Sequence, residues 1–449
     1  MFGVGSWPLT RPSAAPRIPA PRPTRHVRTG ELGAAHERMR ILGYRIANGE
    51  PVTVADTDWL QHAYAIGGTG SGKTTWLESL MAADLSAGRG FCYIDKHGDS
   101  AKRIADSSPQ PLIYWRPAAL SHVIGLNPLH DVPPDERWKV TANVVSVFSD
   151  IWGLSEQTPR LIYFLRAAVR LLLDTHGTTL LDIRRVLSDA TYRHGLLKKC
   201  KDAETRQTWR EFDAKDARQQ AQEIGSLQNK VAALADALPL RLILGQQTST
   251  IHIRRIIDRG TVMVCDLSGL GEEPSRLLGA LLVSSFAQAA ESRSEVAEAD
   301  RSGYTIYIDE FQNFASLAFA KILSEARKWR LSIVLSHQFI AQISERGLHE
   351  AVLGNCGTLV SFRVGAEDAP RLARALDAPE SELASLSRGQ AYVRTLRDGQ
   401  PTVARPMEVE IATLGTGRLP AAIANTQANF ARPRKLAERR PTSPRRDWH

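Results

Sequence analysis

The sequence predicts an α/β protein: a mostly parallel sheet domain built around a phosphate-binding loop and interrupted by an all-helical segment. Three observations carry this reading. Gly67, four residues and then Gly72-Lys73-Thr74 fill every fixed position of the phosphate-loop pattern. Short apolar runs at Phe91–Ile94, Thr261–Leu267 and Tyr304–Ile308 alternate with helix-compatible stretches, the order that gives parallel sheets. Between residues 133 and 239 the strand signals fade and helical spacing takes over.

Along the 449 residues, the first thirty are rich in proline and arginine and hold no acid. Such a stretch cannot bury a core, so residues 1–40 are expected to be a disordered arm. Tyr44–Ile46 and Val52–Val54 flank Asn48-Gly49, a hairpin signal. The phosphate loop follows, led in by Ala63–Ile66 and led out by a helix beginning near Trp76. Phe91–Asp95 and Leu112–Trp115 are the next strands. Leu161, Phe164, Leu165, Ala168, Leu171 and Leu172 fall on one helical face, and Leu180, Ile183, Val186 and Leu187 on another. Residues 205–238 are polar and almost free of helix breakers. These segments give an inserted all-α domain over 133–239, set into a sheet domain of 41–132 and 240–415.

The sheet resumes at Thr261–Leu267, with a helix over Leu277–Ala290 and a strand at Tyr304–Ile308. A helix from about Ser316 to Trp329 leads to strands at Leu331–Leu335 and Thr358–Val364. Ala391–Val393 and Thr402–Ala404 flank Asp398-Gly399, a late hairpin. Residues 416–449, rich in arginine, are expected to be a loose basic tail.

The net charge of +9 favours an acidic partner, though part of it lies in the termini. Cys92, Cys200, Cys265 and Cys356 are too scattered for a metal or redox pair and read as core residues of a reducing cytosol. The most apolar run, Leu161–Leu173, is broken by Arg166 and Arg170, so no membrane span is expected. The N-terminus shows no apolar core of a signal peptide, so none is expected.

The chemistry starts at the loop. Gly67, Gly68, Thr69, Gly70, Ser71 and Gly72 allow consecutive backbone N–H groups to face one anion, and the helix start at Lys73, Thr74 and Thr75 adds its positive end. Lys73 would reach the β- and γ-phosphates of ATP, and Thr74 would help hold Mg²⁺. Hydrolysis also needs an acid for the metal and a base for water. Asp309 and Glu310, at the end of the run YTIYI, supply them. His337-Gln338 ends the next strand, where Gln338 is either a γ-phosphate sensor or a surface glutamine. Arg327 and Arg330 either reach a neighbour's ATP or complement a helix end. Asp95, Asp99 and Arg363 stand near the nucleotide or play local structural roles, Asp99 as a helix cap.

The blocks GGTGSGKTT, YIDKHGD, GLNPL, TVMVCDLSGL, IYIDEFQNF, SEARKWRLSIVLSHQ and NCGTLVSFRVG occur in that order between Val52 and Val409. This series resembles the FtsK/HerA superfamily of DNA-pumping ATPases, and within it the TraD/TraG-type coupling proteins of conjugative type IV secretion. The resemblance implies a RecA-like core with an all-α domain, six subunits in a ring and DNA in the channel, with sequence-independent contacts. It implies Lys73 and Thr74 for nucleotide and Mg²⁺, Asp309 and Glu310 as the acidic pair, and Gln338 as sensor. It also raises Arg327 as an arginine acting in trans, with Arg330 behind it. Partners would be a relaxase and secretion-channel proteins, at a cytoplasmic site with peripheral contact to the inner membrane. Many such proteins carry membrane helices ahead of the motor, and this chain shows none. A soluble HerA-like ATPase of repair or phage defence, or a nucleotide-dependent docking module for secreted substrates, are the alternative readings.

Overall fold

The computed structural model describes residues 39–314, 317–343 and 347–438. The expected arm lies outside the described residues apart from Met39 and Arg40, which already belong to the first strand. Residues 439–449 of the expected tail also lie outside them.

One eleven-stranded sheet organises the chain. Its strands are β1 (Met39–Arg45), β2 (Pro51–Ala55), β3 (Ala63–Ile66), β4 (Phe91–Asp95), β5 (Ile113–Trp115) and β6 (Met263–Asp266). They continue with β7 (Tyr304–Ile308), β8 (Leu331–His337), β9 (Thr358–Ser361), β10 (Gln390–Arg394) and β11 (Arg405–Glu408). The order is β2-β1-β11-β10-β9-β3-β8-β7-β4-β6-β5. From β9 to β5 every neighbouring pair is parallel. From β9 outward to β2 every pair is antiparallel. The parallel strands are buried on both faces, which is why they read as unbroken apolar runs. The expected hairpin between β1 and β2 turns at Gly49, whose φ is +71°.

Between Val123 and Met263 the regular elements are all helices. Phe164, Leu165, Leu171 and Leu172 bury their shared helix face as the spacing predicts. The polar stretch 205–238 is not one helix. Asp216 starts the helix Ala217–Asp236 by accepting from Gln219 N at 2.8 Å, and Pro239 sits in the first turn of Leu238–Leu244. Phe164 and Trp209 of this region share one apolar cluster with Ile94, Cys265 and Ile308 on one sheet face. The opposite face packs Trp76, Leu77, Leu80 and Met81 of the helix Lys73–Ser86. Helices on both faces leave the strand ends as the place where polar chemistry can surface.

Two expectations are corrected. Asp398-Gly399 does turn the chain, but Thr402–Ala404 is not a strand. The partner of β10 is β11, with Val393 opposite Arg405, while Leu396 sits opposite Pro401. The returning arm holds one extra residue between these pairs, so the ladder bulges there and Val403 is pushed out to 72% exposure. Second, residues 416–438 are not loose. The helix Leu419–Asn429 lies along β5, with Ala422 and Thr426 buried. Thr426 Oγ1 accepts from Tyr114 N at 2.8 Å, and Asn425 donates to Leu112 O at 2.9 Å. β5 is the sheet's edge, and this segment satisfies backbone groups that would otherwise be bare. Among the described residues no helix is long and apolar enough to cross a membrane.

Candidate active site

The loop leaves β3 and enters the helix Lys73–Ser86 at the carboxyl end of the parallel strands. It is held by its neighbours. Gly67 N donates to His337 O at 3.3 Å and Gly68 N to Arg363 O at 2.9 Å. A Cβ on Gly67 would stand 2.5 Å from that of Phe362, so this close approach requires glycine. Gly72 has φ +118° and lies against Gly389, whose N–H donates to Ser71 O at 2.8 Å. Thr69 and Gly70 are exposed at the tip, and Thr75 is half-buried in the first helical turn.

Lys73 is only 6% exposed, and its ammonium donates to the carbonyls of Gly67 and Gly68. Burial lowers its pKa, against the opposing pull of the Asp309 and Glu310 carboxylates. Ser71 Oγ is buried with no partner among the described residues. An unpaired buried hydroxyl costs about 1–3 kcal/mol, so the loop is a cradle waiting for an acceptor.

The acids meet the loop across the sheet. Thr74 Oγ1 donates to Asp309 Oδ2 at 3.1 Å, joining residues 235 positions apart. The other oxygen, Oδ1, accepts from Glu310 N at 3.0 Å and from the Ser336 hydroxyl. Burial pushes the Asp309 pKa up, and Glu310 and Asp95 push the same way; the hydroxyls of Ser336 and Thr74 oppose them. Glu310 sits in the left-handed region at φ 55°, ψ 49°, a strained backbone that turns its side chain toward the loop. Gln338 Nε2 donates to Glu310 Oε1 at 2.8 Å, and Gln338 Oε1 accepts from Thr69 Oγ1 at 3.0 Å. Gln338 therefore bridges the loop tip and the Glu310 carboxylate. His337 instead faces the core, stacked on Tyr64, and burial depresses its pKa to about 3.

Other candidates fall elsewhere. Asp95, not Asp99, holds the start of the next helix: its oxygens accept from His97 N at 2.8 Å and Ala101 N at 2.9 Å. Asp99 is exposed beside Lys102 at 3.7 Å. Arg363 serves the loop through its carbonyl while its guanidinium is exposed. Arg327 and Arg330 precede the amino end of β8, whereas the loop contacts its last residue, His337. Seven residues of strand span roughly 20 Å, so neither arginine joins its own chain's site.

Four contributors escaped the sequence reading. Ser336 had a legible signal, a small hydroxyl near the end of an otherwise apolar strand. Gln312, Asn313 and Lys96 had none, because their contacts depend on the turn after Glu310. Lys96 donates to Asn313 Oδ1 at 2.7 Å, and Asn313 in turn donates to Glu310 O at 2.8 Å.

No protein-family model matches the sequence. A Mycoplasma pneumoniae relative, described as an uncharacterized protein, is 30% identical over 129 residues, covering 27% of this chain and 84% of its own length. The plasmid coupling protein TrwB in complex with a non-hydrolysable GTP analogue superposes with a TM-score of 0.64 at 17% identity, covering 87% of this chain and 99% of that one. TrwB with ADP and Mg²⁺ gives 0.63 at 16% identity, over 86% of this chain and 92% of that one. VirB4 of Thermoanaerobacter pseudethanolicus gives 0.56 at 13% identity, over 83% and 96%. The chain belongs to one family with the Mycoplasma protein, and its fold is the P-loop fold of the conjugative coupling protein TrwB.

Proposed function

We propose that this protein is a P-loop ATPase that moves DNA, serving as a coupling protein for a conjugative type IV secretion channel. The observation that carries the enzymatic part is the bond from Thr74 to Asp309, which unites the phosphate loop with the acidic strand end. The donor set fits ATP and Mg²⁺: backbone N–H groups of Thr69, Gly70 and Gly72, a spare buried Ser71 hydroxyl, the Lys73 ammonium, and one hydroxyl beside one carboxylate. Lys73 binds the β- and γ-phosphates, Thr74 and Asp309 hold the metal, and Glu310 takes a proton from the attacking water. The metal, when bound, neutralises charge between the β- and γ-phosphates. Gln338 spans Thr69 and Glu310, so it can sense an occupied γ-phosphate position.

The transport part is supported by likeness to a coupling protein along nearly its whole length. In this reading residues 41–132 and 240–415 form the motor and 133–239 a helical domain. Six copies form a ring around DNA, and relaxase and channel proteins are its partners at the inner membrane. Arg327, with Arg330 behind it, lies at the strand end away from its own loop, where it is available to a neighbour's nucleotide. The test is ATP turnover with and without long DNA over a salt series. Stimulation that fades with salt is expected, since phosphate contacts release counterions. High turnover indifferent to DNA at low salt would refute the pump.

A further inference from the structure

The turn after Glu310 carries two amide side chains with different duties. Asn313 uses both ends of its amide: it accepts from Lys96 at 2.7 Å and donates to Glu310 O at 2.8 Å. Together with Asn313 N bonding to Glu310 O at 3.0 Å, it builds the turn. Gln312 adds nothing to that turn. Its Nε2 donates to Glu310 Oε2, while Gln338 donates to Oε1 at 2.8 Å. The Gln312 Oε1 atom is buried and finds no partner among the described residues. The amide cannot be reversed to relieve this, because its oxygen would then face the carboxylate.

Glu310 is thus clasped from both sides, and one clasp ends in a spare acceptor beside the carboxylate. Two acceptors side by side match the two O–H bonds of one water molecule. We infer that Gln312 positions the attacking water, holding one of its O–H groups through Oε1 while its N–H fixes the Glu310 carboxylate that takes the other proton. This rests on the hydrolytic role proposed for Glu310 and adds to it a second orienting residue. In the step, the water oxygen bonds to the γ-phosphorus as the bond to the β,γ-bridging oxygen breaks. ADP leaves with that electron pair, one proton passes to Glu310, and the other stays on the attacking oxygen, directed at Gln312. Water held by two acceptors presents a lone pair to phosphorus; held by one it rotates freely.

The experiment measures ATP turnover and analogue binding for the full chain and three variants. Gln312→Leu keeps the volume and removes both functions, and turnover is expected to fall about a hundred-fold with analogue affinity unchanged. Gln312→Glu loses its donor at neutral pH and regains one when protonated, so its turnover is expected to rise as pH falls. Packing alone would not produce that profile. Glu310→Gln is the control for the underlying reading, and its turnover is expected to vanish. If Glu310→Gln is inactive while Gln312→Leu turns over normally, the inference about Gln312 is overturned and the role of Glu310 stands. If Glu310→Gln retains full turnover, both fall. Should Gln312→Leu not fold, the Gln312→Glu profile decides, and one parallel to the unaltered protein overturns the inference.

Discussion

In the parallel half of the sheet, β9, β3, β8, β7, β4, β6 and β5 are buried along their whole length, whereas in the antiparallel rim β1, β2 and β11 carry exposed positions. The parallel half has water on neither face, so its polar side chains collect at the strand ends and bond to one another. Thr74, Asp309, Ser336, Glu310 and Gln338 form such a set. The rim supplies none of these groups and acts as a brace. Val409, just past β11, donates to Gly389 O at 2.9 Å, and Gly389 N donates to Ser71 O at 2.8 Å, so the rim grips the phosphate loop from the side. The contrast separates residues of the proposed reaction site from residues that keep the loop in shape.

The sharpest way to break that contrast is Lys73→Ala. Turnover should drop by at least about a hundred-fold, as for removal of a charge-stabilising donor, while the thermal midpoint stays near its original value. A lost fold would mean that Lys73 is structural. The seam between the halves comes next. Arg40 of β1 pairs with Asp84, and Asp84 Oδ2 accepts from Tyr307 of β7 at 2.7 Å. Asp84→Ala leaves the Arg40 guanidinium with Asp56 alone, 2.9 Å away, and strips the buried Tyr307 hydroxyl of its acceptor, so urea unfolding should show a loss of about 3 kcal/mol. Turnover per folded molecule should be unchanged.

A smaller effect is expected at the brace. Gly72→Ala places a Cβ 3.0 Å from Gly389 Cα at φ +118°, which costs about 1–3 kcal/mol and should weaken ATP binding in calorimetry. Acid should strain the parallel half first, since His62 and His337 are buried there. Burial lowers their pKa values to about 4 and about 3. The unfolded chain, with histidine near 6.5, then binds more protons below that value. Stability is therefore full above about pH 6.5 and drains as pH falls toward 3. The raised pKa of Asp309 tilts the other way. Thermal midpoints along an acid series should fall, and less steeply in His337→Gln. The smallest effect belongs to the rim's bulge: Val403→Thr at 72% exposure should change stability by less than about 0.5 kcal/mol.

The parallel half was also the more legible one. Its strands are continuous apolar runs because both faces are covered, and its loop has a pattern fixed by phosphate geometry. In the rim, Asp398-Gly399 announced its turn correctly, yet the strand after it was misplaced by a bulge that no local composition signals. The segment after Gly415 looked solvated because its helix buries only Ala422 and Thr426 and depends on the edge of β5 for its contacts. Glu310 could be named from its place after an apolar run. Its clasp by Gln338 and Gln312 could not, since that depends on a left-handed backbone turn and a register between distant strands.

By itself the sequence determined the loop, the acidic strand end and the alternation of strand and helix, because each is written in neighbouring residues obeying local geometry. The tertiary structure alone decided which side chains meet: Thr74 with Asp309, Gln338 with both Thr69 and Glu310, and neither arginine with its own chain's site. Strand order sets those meetings, and strand order follows from how the whole sheet buries its two faces, a property that no short stretch of chain contains.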